Sequence, residues 1–129
     1  MENTNIKKEL LNLRFTFRKH ERISKQKEIN AVFEKGEKFF KNGLLVYILK
    51  TNKNYSRIAI LISNKVEKSA VIRNKFKRRI REIFRLNKHK IKMPIDIVVV
   101  ATRVSVKQKY SFLEKSFLEI LKNNNLLNQ

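Results

Sequence analysis

The sequence predicts an α+β sandwich in a single domain, a small sheet with helices packed on it. Three observations predict it. The chain has 129 residues, the length of one ordinary domain. Hydrophobic residues make up 42%, enough for one small core. The apolar pattern also changes period along the chain, in the order helix, strand, strand, helix, strand, helix. No internal repeat and no Pro-rich or Gly/Ser-rich linker divides it.

The elements follow in order. Residues 1–15 are polar, lack a clean period and read as a flexible extension; residues 16–122 form the domain and residues 123–129 a tail. Ser24 is a plausible N-cap for a short helix over residues 24–35, with Ile29, Val32 and Phe33 at helical spacing and Gly36 as its stop. After Gly43, residues 44–50 read as a strand. Residues 51–54 make a turn, and Ile58, Ile60 and Ile62 alternate through a second strand over residues 57–63. The two strands should pair as a hairpin. A long helix follows over residues 70–86, capped by Ser69. Met93 and Pro94 precede a buried strand over residues 95–102. Ser105 and Gln108 stand at capping-box spacing before a last helix. Its face carries Val106, Tyr110, Leu113, Phe117, Ile120 and Leu121, and three Asn at 123–125 end it.

The charge excludes whole classes of function. Lys plus Arg is 31 against 11 Asp plus Glu, a net charge of +20. There is no Cys, hence no disulfide framework and no thiolate zinc site. His20 and His89 are far apart and read as surface residues. Asp96 is the single Asp, whereas a two-metal nuclease centre needs clustered carboxylates. Gly36 and Gly43 cannot build a phosphate-cradling loop. Bond-making chemistry is therefore not expected in this polypeptide alone, and no metal site is expected on it. A polyanion, nucleic acid first, is the expected partner. No apolar run of signal-peptide or membrane-spanning length is present, so a cytoplasmic protein without a membrane partner is expected.

Residues 65–92 carry twelve basic side chains and two acids, Glu67 and Glu82. At about 100° per residue, Ile72, Phe76, Ile80 and Ile83 share one face. Arg73, Asn74, Lys77, Arg78, Arg81 and Arg85 form a contiguous sector beside it. Burial of the first face would present the second as an ordered cationic stripe. Arginine forks suit phosphate oxygens, and Asn74 offers an amide for a base edge or a ribose hydroxyl. A merely solvated charged face is the plainer alternative, since the chain is rich in Lys throughout.

Aromatic residues cluster in the first third: Phe15, Phe17, Phe33, Phe39, Phe40 and Tyr47. Core packing accounts for most Phe. Tyr47 is the better candidate for stacking on an unpaired base, because Val46 and Ile48 point to the opposite face of the strand. Ser63, Asn64 and Lys65 either place polar groups near a bound backbone or form a turn.

The run Ser69-Ala-Val-Ile-Arg-Asn-Lys-Phe-Lys-Arg-Arg-Ile-Arg-Glu82 resembles the signature of the bacterial ribonuclease P protein subunit. That signature has an Ala ahead of an Arg-Asn pair, a Lys-Arg pair, an apolar residue and Arg-Glu or Arg-Gln. Arg22-Ile23, Val32-Phe33 before Gly36, Ser63-Asn64-Lys65 and the lone Asp96 opening an apolar strand fit the same pattern, over residues 16–122. The resemblance implies the element order α-β-β-(β)-α-β-α over a small mixed sheet, with the basic helix in a left-handed crossover. It also implies the work: the protein pairs with ribonuclease P RNA, one protein per RNA expected, and that RNA removes the 5′ leader of precursor tRNA by magnesium-dependent hydrolysis. Magnesium is held mainly by the RNA. By position, Arg73, Asn74, Lys77, Arg78, Arg81 and Arg85 become the RNA-subunit face, and Ile29, Phe33, Tyr47, Ser63 and Lys65 the leader-binding cleft. The sequence departs from the pattern at Ile29, where the family commonly has Phe, at Asn64, at Lys75, and over Val66-Glu67-Lys68, which lacks a Gly. A structural RNA-binding protein without a role in cleavage is the alternative. A DNA-binding factor is disfavoured, because strands flank the basic helix.

Overall fold

The structure, a computed structural model, describes residues 16–128. The expected extension over residues 1–15, Phe15 included, lies outside them. Among the described residues, α1 is Gln26–Lys35, β1 Glu37–Lys41, β2 Leu44–Lys50, β3 Arg57–Leu61, α2 Ala70–Asn87, β4 Ile95–Val100 and α3 Tyr110–Asn123. The strands form one mixed sheet in the order β1-β2-β4-β3. β1 and β2 pair antiparallel, as do β2 and β4, whereas β3 and β4 run parallel with α2 in their connection.

The sheet is a two-sided platform. Leu44, Val46, Ile48, Ile58, Ile95, Ile97 and Val99 meet Phe76, Ile80, Ile83 and Phe84 of α2 and Leu113, Phe117 and Leu121 of α3. On the other face Ala59 and Val98 pack with Ile23, and with Ile29 and Val32 of α1. Tyr47 takes this second face while Val46 and Ile48 take the first, as strand alternation requires.

The expected hairpin between the second and third of these strands does not form. β4 lies between them. Its sequence, Ile-Asp-Ile-Val-Val-Val, is buried on both faces, and such a strand gains most from a central place with neighbours on both edges. The hairpin is instead β1–β2, closed by Asn42 at φ 52° and Gly43 at φ 87°. Asn-Gly is the two-residue turn that matches strand twist. β3 stops at Leu61, two residues short of the expected end, because the Ser63 carbonyl accepts from Val66 N at 3.1 Å and Glu67 N at 3.2 Å and turns the chain.

Two expected caps are also corrected. α1 begins at Gln26, and Ser24 does not cap it. Arg22 bridges Ile58 and Ile23 N donates to Ile58 O at 3.0 Å, so the chain is still extended there. Ser105 does not open α3 either. It closes a tight turn, accepting from Thr102 N at 2.8 Å, and the helix starts at Tyr110. Beyond α3 the chain stays docked: Leu126 is buried and its carbonyl accepts from Lys92 N at 2.8 Å.

Candidate nucleic-acid interface

The basic helix α2 is locked before it presents any charge. Ser69 Oγ accepts from Ile72 N at 3.3 Å, as the sequence predicts. Phe76, Ile80, Ile83, Phe84 and Asn87 are its buried residues. Ile72, expected on that face, is 41% exposed, and Val71 beside it 78%. The first turn is left exposed, so burial starts at Phe76 and Phe84 completes the face. Asn87 is satisfied inside, donating to Ile83 O at 2.8 Å and Glu114 Oε2 at 2.9 Å.

The six members of the expected stripe are placed differently. Asn74 and Arg78 are exposed, and Lys77 is half-buried. Arg73 folds back and donates through Nη1 to Glu67 O at 2.9 Å and Lys68 O at 2.8 Å, bracing the loop ahead of the helix. Arg85 is paired with Glu82. Arg81 is half-buried; burial and then the charge of Arg22 push its guanidinium below its usual value. Arg79 lies on the other flank, donating to Gln108 O at 2.9 Å and tying α2 to the start of α3.

On the opposite face of the sheet, Phe33 of α1 meets Tyr47 of β2 edge to face, with ring centroids 4.7 Å apart. Leu49, Leu61 and Val100, partly buried, continue that surface. Ile29 is 6% exposed and serves as floor, not as a stacking surface. Ser63 and Lys65 are exposed at the turn after β3. The turn reading of that segment holds, and its side chains face outward.

Besides its apolar face, α1 is joined to the sheet by a charge cluster that sequence reasoning missed. Arg57 opens β3 opposite Asp96 of β4. Its Nε donates to Asp96 Oδ1 at 3.0 Å and its Nη2 to Oδ2 at 2.7 Å. The same Nη2 lies 2.9 Å from Glu28 Oε2 on α1. Arg57 and Asp96 side chains are 8% and 6% exposed, so the pair is desolvated and its geometry is the bidentate fork that desolvation demands. The bond to Asp96 raises the Arg57 guanidinium above its usual value, and the bond to Arg57 holds the Glu28 carboxyl below its own. The lone Asp within an apolar strand was the one signal available.

The two surfaces meet at the outer edge of β3, beyond the point where Arg22 bridges Ile58. One cleft there, about 330 Å³, is lined by Ile60, Leu61, Ser63, Val66, Lys77 and Val100. A second, about 180 Å³, lies between Arg22, Ser24 and Ile29 on one side and Arg81 on the other. Among the described residues no three His, Asp or Glu converge as a metal-binding group, and Glu21, Glu28, Glu82 and Asp96 are each engaged by a cation. No helix among them is long and apolar enough to cross a membrane.

The family model for ribonuclease P matches residues 17–125. The ribonuclease P protein component of Alkaliphilus oremlandii is 36% identical over 107 residues, 83% of this chain and 93% of that protein. That of Clostridium novyi is 38% identical over 113 residues, 86% of this chain and 99% of its own. The Staphylococcus aureus RNase P protein superposes with a TM-score of 0.73 at 29% identity, covering 84% of this chain and 98% of that one. The Thermotoga maritima protein does so with 0.71 at 30%, covering 80% and 96%. A family match along nearly the whole domain, with the same fold in solved relatives, makes this chain a member of the ribonuclease P protein family.

Proposed function

We propose that the chain, as the protein component of ribonuclease P, works by holding two RNA segments on the two surfaces that meet at β3. The α2 stripe takes phosphates of the RNA subunit. The Phe33–Tyr47 face takes the single-stranded 5′ leader of precursor tRNA, one protein serving one RNA. The observation that carries this reading is the adjacency itself: Lys77 of the stripe and Leu61 and Val100 of the apolar face line one cleft. A strand lying on the apolar face therefore reaches cationic side chains within one cleft's width.

The division of labour follows from chemistry. No three His, Asp or Glu of the described residues converge, so magnesium is assigned to RNA phosphates, where it would supply the nucleophile and stabilise the leaving oxygen. The chain's own residues neutralise and position. Arg and Lys lower the repulsion between converging RNA backbones, and each phosphate contact releases counterions. Tyr47 and Phe33 offer aromatic surface to unpaired bases, which tolerates many leader sequences.

The test is cleavage of precursor tRNA at low magnesium by the matching ribonuclease P RNA, with and without the protein, with product ends mapped. Strong stimulation at the mature 5′ end is expected. Tight, salt-sensitive RNA binding without stimulation would move the chain to a structural RNA-binding role.

A further inference from the structure

Helix α1 carries two side chains that reach the sheet from opposite flanks of one buried stripe. At about 100° per residue, with Glu28 at zero, Val32 falls at about 40°, Ile29 at about 100° and Phe33 at about 140°. Ile29 and Val32 are the buried residues of the helix. Glu28 and Phe33 flank that stripe, one on either side, and both are half-buried. On one flank Glu28 Oε2 lies 2.9 Å from Arg57 Nη2 of β3. On the other the Phe33 ring meets Tyr47 of β2 at 4.7 Å between centroids.

The contacts of α1 restrain it in different ways. Burial of Ile29 and Val32 with Ile23, Ala59 and Val98 is non-directional. It holds the helix on the sheet and tolerates a small roll about the helix axis. At the C-terminal end Gly36 lies against β2, where a Cβ would stand 2.8 Å from Ile48 O, and this sets the distance of that end from the sheet. The contact between Glu28 and Arg57 is directional, and among the described residues it is the one ion pair between α1 and the sheet. Its far end does not yield, because Arg57 is held by both oxygens of a desolvated Asp96. Side-chain tips lie about 5–6 Å from a helix axis, so a roll of about 10° moves the Phe33 ring by about 1 Å. An edge-to-face pair depends on the placing of its rings, and a shift of that size disturbs it.

We propose that Glu28 is a positioning residue for leader binding: tied to Arg57, it fixes the roll of α1 and thereby holds Phe33 against Tyr47. This rests on the assignment of the leader to the Phe33–Tyr47 face and deepens it. Glu28 touches no RNA in this role and acts through Phe33. A preset ring pair spares the leader the cost of ordering it on binding.

The test is a double-variant cycle on the full chain with Glu28→Ala, Tyr47→Ala and both together. Dissociation constants are measured for precursor tRNA and for tRNA without a leader. Glu28→Ala should lower the ratio of the two by about threefold to tenfold and leave the leaderless affinity unchanged. In the Tyr47→Ala background the further loss should stay below about twofold, since both variants then break one pair. In the free protein, nuclear Overhauser effects between the Phe33 and Tyr47 rings should weaken in Glu28→Ala while those from Val32 to its core neighbours persist. Additive losses, or equal losses with and without a leader, would overturn the proposal. So would a lowered urea midpoint with intact ring contacts and an unchanged ratio, which is what a purely stabilising ion pair predicts. Should Glu28→Ala not fold, Glu28→Gln, which keeps the side-chain length and weakens the tie, is carried through the same cycle. Tyr47→Ala with full leader-dependent affinity would overturn the leader assignment and this proposal with it. A normal Tyr47→Ala loss beside an unaffected Glu28→Ala would overturn this proposal alone.

Discussion

A buried guanidinium persists only where carboxylates meet it, and Arg57 is met by two. Arg57→Ala would leave the Asp96 carboxylate buried without its fork, and a loss of about 3 kcal/mol or more is expected in urea unfolding. Glu28 carries a milder, pH-dependent share. Its carboxyl is held below the ordinary value of 4.5 by Arg57, so its contribution is present above that value and lost as pH falls through its lowered folded value. Stability measured from pH 6 down to pH 3 should therefore fall less steeply in Glu28→Gln than in wild type. Gly43 is constrained differently. At φ 87° a side chain is strained, and a Cβ there would stand 2.6 Å from Val104 Cγ1. Gly43→Ala should cost about 1–3 kcal/mol, read as a lowered unfolding midpoint with an unchanged denaturant slope. Arg73 was expected as an RNA contact, and its two bonds to the loop carbonyls were not legible, because those partners become neighbours only once residues 63–69 turn.

At the scale of elements, α1 and α2 pack on opposite faces of one sheet, and the proposed division of labour gives each face one RNA segment. Tyr47→Ala removes half of the Phe33–Tyr47 edge-to-face pair and should weaken binding of precursor tRNA by about 1–3 kcal/mol. The loss should disappear for tRNA without a leader, measured as the ratio of the two dissociation constants. Arg78 is the cleaner probe of α2, being exposed, whereas Arg73 and Arg85 also serve the fold. Arg78→Ala should lower affinity for ribonuclease P RNA with leader dependence unchanged. Equal losses of both functions in both variants would refute the separation. Most elements were legible from period and punctuation: α2 ends one residue beyond the expected 86, and β2 falls on 44–50 as expected. β1 was not, because Glu-Lys-Phe-Phe-Lys alternates weakly, although Asn42-Gly43 advertised its turn.

For the whole molecule the excess of cations is the dominant fact. A net charge of +20 on 129 residues favours polyanions before any particular contact is made. If five cations of the stripe each meet one phosphate, log affinity should fall against log salt with a slope of about −4. A slope near zero would exclude phosphate contact as the source of binding. The composition, the order of helices and strands apart from β1, and the signature run in α2 were determined by the sequence, because they rest on local periodicity and spacing. The strand order was decided by tertiary structure. β3 and β4 pair in parallel across 38 intervening positions, counted from Arg57 to Asp96, and a doubly buried β4 displaces the hairpin that proximity alone suggests. The same non-local packing places Arg57 between Asp96 and Glu28, leaves Ile72 exposed and brings Arg22 and Arg81 to one cleft. Such encounters depend on which apolar surfaces find one another, and residues far apart in sequence carry no mark of it.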